Sequence, residues 1–297
     1  MKPLKLKIKP KYAIYSTIEN DPIFSLKSHD NVIYSGGEIV SVGSKIYNFN
    51  PGDLVCFIYS NHETDFRLSS NLVIKLIEED PILITLIPYL SYAMKIIRHE
   101  KIRLGDRILI LGFNFFSILL AKVLNLTNSD VQIINLRGYN NSFSSHSAEI
   151  LDLKETEKIK NLKKVNFRKV FIADGIENFD KIKEILRSNY DIINLIPNLE
   201  IPSSFLKLSD IKTYSLYDKG LRDKMYREGI KYPYSYVRWD FKRNLKFVLE
   251  NYFGTRLSFN NIEKMISTKI IKNKNKVERI IKDKELEKGY IHLFQLT

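Results

Sequence analysis

The chain has a single cysteine, Cys56, among 297 residues. An intrachain disulfide is therefore excluded, and so is any zinc site built mainly from thiolates. A reduced, cytoplasmic setting fits this usage. Histidine is scarce, with five residues, and His29, His99, His146 and His292 stand in no ligand or catalytic pattern. No nucleophile elbow, P-loop or EF-hand sequence occurs, and there is no internal repeat or low-complexity linker. The first nine residues alternate Lys with apolar side chains, which predicts an amphipathic strand and not a signal peptide. A long, uninterrupted apolar span is also missing. The nearest approach is residues 108–126, where Asn114 and Lys122 would be costly in hydrocarbon. A buried strand, a tight turn at Gly112 and a buried helix account for that stretch, and no membrane partner is expected.

Positive charge is abundant, with 47 Lys and Arg against 34 Asp and Glu, a net charge of +13. Nucleic-acid binding is one reading of such a balance. The densest basic stretch, residues 269–276, has no interleaved aromatics on which bases could stack. Elsewhere the cations stand beside carboxylates, as in residues 155–160. A lysine-rich solvated surface is the expectation, with no nucleic-acid partner. Seventeen Tyr and seventeen Phe supply ample core area for the two domains that this length suggests.

The first ninety residues read mostly as strands: 5–16, 32–42 interrupted by Gly36-Gly37, 54–59 and 72–76. Asn50-Pro51-Gly52-Asp53 marks a strong turn. Residues 81–98 carry apolar positions at helical spacing. From Gly105 onward strands and helices alternate: strand 108–111 and its helix, strands 131–136 and 170–173, a helix over 178–189, then strands 191–195 and 212–216. That alternation predicts a parallel sheet with helical crossovers. Helices over 239–253 and 277–288 and a strand over 290–295 complete the chain, with Gly254 placed to end the first of these helices.

Two segments then acquire a family likeness. Ser35-Gly-Gly-Glu-Ile-Val-Ser-Val-Gly-Ser44, continuing to Phe49-Asn-Pro-Gly-Asp-Leu-Val55, resembles the GroES-like domain of medium-chain dehydrogenases. Ile102-Arg-Leu-Gly-Asp-Arg-Ile-Leu-Ile-Leu-Gly112 resembles the entry into their Rossmann domain. Residues 226–244 (YREGIKYPYSYVRWDFKRN) and Tyr59-Ser-Asn-His-Glu63 resemble a zinc-binding or threonine-dehydrogenase-like branch. Members of that branch are commonly fused to a second oxidoreductase module and associated with surface-polysaccharide biosynthesis. The resemblance implies an α/β chain with a GroES-like β-domain (residues 1–93 and 255–297) and a Rossmann doubly wound parallel-sheet domain (94–254).

A Rossmann fingerprint places three glycines between strand and helix: one for the turn, one for close approach to pyrophosphate, one for helix packing. Here the positions are Gly112, Asn114 and Ser117, with Phe115 and Phe116 between the last two. Asn tolerates a left-handed conformation, so Asn114 is expected to keep the turn while its side chain crowds the phosphates. At the end of the next strand Asn135 stands where an acidic residue would hold the ribose, followed by Arg137, which suits a 2′-phosphate. The implied cofactor is NADP or NAD, with NADP preferred. A solvated surface role for Arg137 stays open.

The family's catalytic zinc needs Cys, His and an acid. Val32-Ile33-Tyr34 occupies the place of the family's Gly-His-Glu, and Cys56 falls inside an expected strand as a small core residue. No metal and no zinc are therefore expected. Tyr34, His62 and Tyr89 are the candidates for polarising a carbonyl, each also readable as a packing residue. The resemblance implies a zinc-independent NAD(P)-dependent oxidoreductase acting on a small molecule, a sugar or nucleotide-sugar derivative. The alternative is a catalytically degenerate relative that serves as partner subunit of a separate oxidoreductase. A homodimer through the strand at 212–216 stays open.

Overall fold

The computed structural model describes residues 5–17, 21, 24, 32–59, 66–136, 148–152, 155–162, 164–175, 182, 186, 190–196, 199, 211–213, 241–253, 262–271, 274–282, 286 and 290–296. The chain divides into a first unit, Met1–Thr17, Ser28–Tyr92 and Tyr217–Thr297, and a second, Ile18–Lys27 and Ala93–Leu216.

The Lys-apolar alternation at the start becomes strand β1 (Lys5–Ser16), which buries Leu6 and Ile8 and exposes Lys7 and Lys9. A period of two puts one set of side chains on each face, so one face packs and the other is solvated. β1 pairs antiparallel with β2 (Ile33–Val42) on one side. On the other it pairs with β4 (Phe66–Ser69) and β13 (Ile291–Leu296). β3 (Leu54–Tyr59) and β5 (Ile74–Lys75) extend the sheet beyond β2, and β12 (Ile266–Ile271) lies parallel to β13 at the opposite edge. Gly36-Gly37 does not interrupt β2. The carbonyl of Lys9 stands 2.4 Å from where a Cβ of Gly37 would be, so only a residue without one lets the strands approach there. The core over this sheet includes Leu6, Ile8, Tyr34, Val55, Phe57, Phe66 and Phe294.

Two Gly-Asp motifs fold alike. The Asp53 carboxylate accepts the Asn50 amide at 2.8 Å, and Asp106 accepts the Arg103 amide at 2.7 Å. Each also meets a cation, Lys75 at 2.6 Å from Asp53 and Arg168 at 3.2 Å from Asp106. Burial opposes ionisation of Asp53, but the hydrogen bonds from Lys75 and Asn50 outweigh it and hold the carboxyl below its usual range. These carboxylates lock the turns that launch β3 and the strand that starts at Arg107.

Helix α1 (Pro81–His99) carries the chain from the first unit into the second, the division falling after Tyr92. Among the described residues it is the one helix long and apolar enough to cross a bilayer, yet 83% of that window is buried inside the fold. It serves as a core helix.

Among the described residues the second unit forms a six-stranded parallel sheet: β6 (Arg107–Leu111), β7 (Asp130–Asn135), β8 (Glu149–Asp152), β9 (Lys169–Ile172), β10 (Asp191–Asn194) and β11 (Ile211–Thr213). The order β11-β10-β9-β6-β7-β8 puts the first strand in the middle. The next two strands step to one side and the last three to the other, which is the doubly wound pattern. β6 and β9 are apolar on both faces, as covered parallel strands are. Helix α2 (Phe115–Asn125) follows β6 and α3 (Thr156–Leu162) follows β8. The expected helix over 178–189 and the expected strand beyond residue 213 lie outside the described residues, apart from Ile182 and Leu186, which are buried. β4, β8, α3 and β12 were not foreseen from the sequence.

Where the strands begin, the Lys169 ammonium sits 2.9 Å from the Glu100 carboxylate and 2.5 Å from Asp191. Lys212 reaches the same Glu100 oxygen at 3.4 Å. The Lys169 and Glu100 side chains are 5% and 1% exposed, so this is a buried ion cluster. Burial alone would lower the Lys169 pKa, but the hydrogen bonds to Asp191 and Glu100 prevail and raise it.

Helix α4 (Phe241–Phe253) packs on β5 and on the 3-10 turn Ser70–Leu72. The sequence boundaries set this helix with residues 94–254. Its contacts set it with the first unit, where Leu245 and Val248 are fully buried. Helix α5 (Lys274–Lys282) joins β12 to β13.

Candidate functional site

The point where a doubly wound sheet reverses direction opens a crevice at the carboxyl ends of its strands. Here that point lies between β6 and β9. β6 ends at Leu111, and Gly112 turns the chain with φ +109. A Cβ at Gly112 would lie 2.3 Å from the Cβ of Asp174 and 2.7 Å from its amide nitrogen. Both the dihedral and the crowding therefore demand glycine. The first position of the fingerprint is kept for a physical reason.

At the second position the structure differs from the sequence expectation. Asn114 is not left-handed. Its φ of −147° and ψ of 179° are extended, and it is the N-cap of α2. Its side-chain oxygen accepts the Ser117 amide at 2.9 Å, while the Ser117 hydroxyl accepts the Asn114 amide at 2.8 Å. This is a reciprocal capping box. The Asn114 side-chain nitrogen donates to the carbonyl of Ala173 at 2.5 Å. The expected crowding is thereby corrected, because the side chain is turned against the sheet and held by both of its polar atoms. Asn and Ser replace two glycines as a matched pair that ties the helix start to β6's neighbour, β9.

Phe115 and Phe116 are each 1% exposed and Ser117 is 0% exposed. Their side chains belong to the core beneath the turn. What the helix start offers an anion is its backbone and dipole, and the amides of Phe115 and Phe116 are those a pyrophosphate would address. Asn135 ends β7, as expected, but has 0% of its surface exposed. A ribose hydroxyl would reach it only if that enclosure opened. Arg137 lies outside the described residues.

Two residues at the same edge were missed by sequence reasoning. Asp174 follows β9, is 3% exposed and accepts the Gly175 amide at 2.7 Å. Asn194 ends β10 and folds its amide onto Ile196, accepting from the nitrogen at 3.0 Å and donating to the carbonyl at 2.8 Å. An Asp-Gly after an apolar run, and an Asn at the end of another, were the available signals.

The carbonyl-polarising candidates fall elsewhere. Tyr34 is 1% exposed and meets Phe66 edge-on at 4.9 Å between ring centres. Tyr89, on α1, is 0% exposed. Both stand in the first unit, and neither ring is open to a substrate in this structure. His62 lies outside the described residues. Cys56 is fully buried, and burial pushes its thiol up to about 12, so it is a poor source of thiolate. Among the described residues no three His, Cys, Asp or Glu side chains converge as a metal site.

No protein-family model matches the chain, and no curated protein matches it in sequence. Solved structures do match in shape. The CurK enoyl reductase superposes with a TM-score of 0.69 at 12% identity, covering 100% of this chain and 93% of that one. The Escherichia coli quinone oxidoreductase complexed with NADPH gives 0.67 at 10% identity, over 98% and 92%. A zinc-binding dehydrogenase from Sinorhizobium meliloti bound to NADP gives 0.64 at 11%, over 99% and 93%. Agreement over whole chains at so little identity establishes the fold, an α/β arrangement shared with medium-chain dehydrogenases and reductases.

Proposed function

We propose that a chain with this fold is a nicotinamide-dependent oxidoreductase, with the dinucleotide seated on the second unit at the turn after β6. The observation that carries the reading is the Gly112 bend, which delivers the start of α2 to the switch point of the sheet. The inward-turned Asn114 side chain is compatible with a phosphate there. The bound nicotinamide would exchange hydride with a carbonyl or alcohol carbon. The chain's own part is to bind the pyrophosphate through the helix start and to orient the ring.

Finer features rest on narrower support. Preference for NADP over NAD rests on Arg137. A zinc-independent site rests on Tyr34 standing where the family's acid would be and on the buried, protonated Cys56. A sugar or nucleotide-sugar substrate in surface-glycan synthesis, and a cytoplasmic location, rest on the likeness of residues 226–244. With Tyr34 and Tyr89 enclosed, His62 is the first candidate to test for carbonyl polarisation.

The enclosure of Asn135, Tyr34 and Tyr89 favours a second reading, a non-catalytic partner subunit of another oxidoreductase. Thermal-shift titration separates the two. A ligand bound by the native state alone stabilises it by about 2.7 kcal/mol at a hundredfold excess over Kd. NADPH is expected to raise Tm, and NADH to do so less. No shift with either at millimolar concentration removes the first reading. A lone monodisperse chain that turns over substrate removes the second.

A further inference from the structure

The first unit carries a groove of about 410 Å³ that the proposed reaction does not use. It runs between α4 and the segment around β5. Phe49, Leu76 and Leu249 lie in its wall, 4%, 4% and 7% exposed, and Ile77 stands at its mouth, 90% exposed. Lys242 and Lys246 line the same groove from α4, one turn apart on one face.

The charges are arranged for an anion at one side of an apolar trough. Lys242 lies 5.5 Å from the centre of the Phe49 ring and donates to the Ser70 carbonyl at 3.4 Å. Lys246 faces Glu250 at 3.6 Å, with side chains 71% and 61% exposed. So loose and solvated a pair contributes little, and a ligand anion can replace the glutamate. Lys75, also at the groove, is engaged by Asp53 at 2.6 Å. The volume falls in the small-ligand range of about 300–1,000 Å³. A protein partner would need roughly 800 Å² of this surface, far more than these side chains present.

We propose that this groove binds a medium-length acyl carboxylate, its hydrocarbon along Phe49, Leu76, Leu249 and Ile77 and its carboxylate at Lys242 and Lys246. The recognition is hydrophobic burial ended by a charge-assisted hydrogen bond.

Calorimetric titration of the full chain with octanoate, decanoate and decanol tests this, with NADPH binding measured on the same sample as a control. Each buried CH₂ is worth about fourfold in affinity, so decanoate, with two more of them, is expected to bind about sixteenfold tighter than octanoate, at one equivalent. Lys242→Gln/Lys246→Gln should weaken decanoate at least fivefold and leave decanol unchanged. Ile77→Glu, at an exposed position where folding is not at risk, should weaken both. Unsaturable uptake, affinity independent of chain length, or binding unmoved by these variants overturns the proposal. So does binding of an acidic amphipathic peptide in the absence of decanoate binding. NADPH binding is unaffected by any of these outcomes.

Discussion

Replacing Asn114 with glycine would restore a second motif glycine, and the structure says this harms the fold without improving the site. Asn114 spends its oxygen on the Ser117 amide and its nitrogen on the Ala173 carbonyl. Glycine is a fair N-cap, so the loss at the helix start is a few tenths of a kcal/mol. Removing the donor to the Ala173 carbonyl costs more, about 1–3 kcal/mol for a buried acceptor left unpaired. The expected sum is about 2 kcal/mol. At roughly 2–4 °C per kcal/mol for a domain of this size, Tm should fall by about 4–8 °C. Asn114→Ala loses the cap as well and should fall further, by about 3 kcal/mol in total. Differential scanning calorimetry reads both. The Kd for NADPH, measured by fluorescence titration, should change less than about threefold, because the side chain is already turned away. A tenfold tightening, about 1.4 kcal/mol, with Tm unchanged would show that the amide stands in the phosphate's path and that the capping account is wrong.

Other outcomes follow from the same structure. Lys169→Met leaves the Glu100 carboxylate buried and short of its nearest cation, and should cost about 3–5 kcal/mol in chemical denaturation, whereas Glu100→Leu/Lys169→Met should recover most of it; equal losses in both would refute the cluster's role. Because the Lys169 pKa is raised on folding, its contribution is present below the unfolded value of about 10.4 and is lost as pH rises through the higher folded value, so an alkaline stability profile should flatten in Lys169→Met. Gly112→Ala must overcome both a positive φ and the Asp174 contact, each worth about 1–3 kcal/mol, and a soluble, stable variant that still binds NADPH would contradict the turn. His62→Gln should lower turnover at least tenfold with Tm unchanged, if the first functional reading holds; wild-type rates would exclude His62.

The turn after β6 was legible because an apolar run ending in glycine has few other solutions. What those letters did not reveal at first sight was the exchange of glycines for a cap. Asn-Phe-Phe-Ser has the three-residue spacing of a capping box, but the glycine template drew attention to backbone freedom instead of side-chain acceptors. β4 and β8 span four residues each and alternate too briefly to stand out. β12 sits in a basic stretch where Ile266, Ile270 and Ile271 are interspersed with polar residues. The neighbour of α4 could not be read from its period, which reports that one face is buried, not against which sheet. The same limit applies to Tyr34 and Tyr89: the sequence puts them near an expected site, but only packing reveals that both are enclosed.

The pairing of β1 with β13 sets a timetable for synthesis. The Thr17 hydroxyl and the Tyr290 carbonyl meet across 273 positions of chain. A ribosome delivers every strand of the parallel sheet well before β13 emerges, so that sheet can assemble while the earlier strands still wait for their last neighbour. Closing so long a loop is slow, and an incomplete edge on β1 is meanwhile a surface to which other chains can adhere. Loss of residues 290–296 would therefore be felt first in yield and aggregation, even where the parallel-sheet unit had folded correctly.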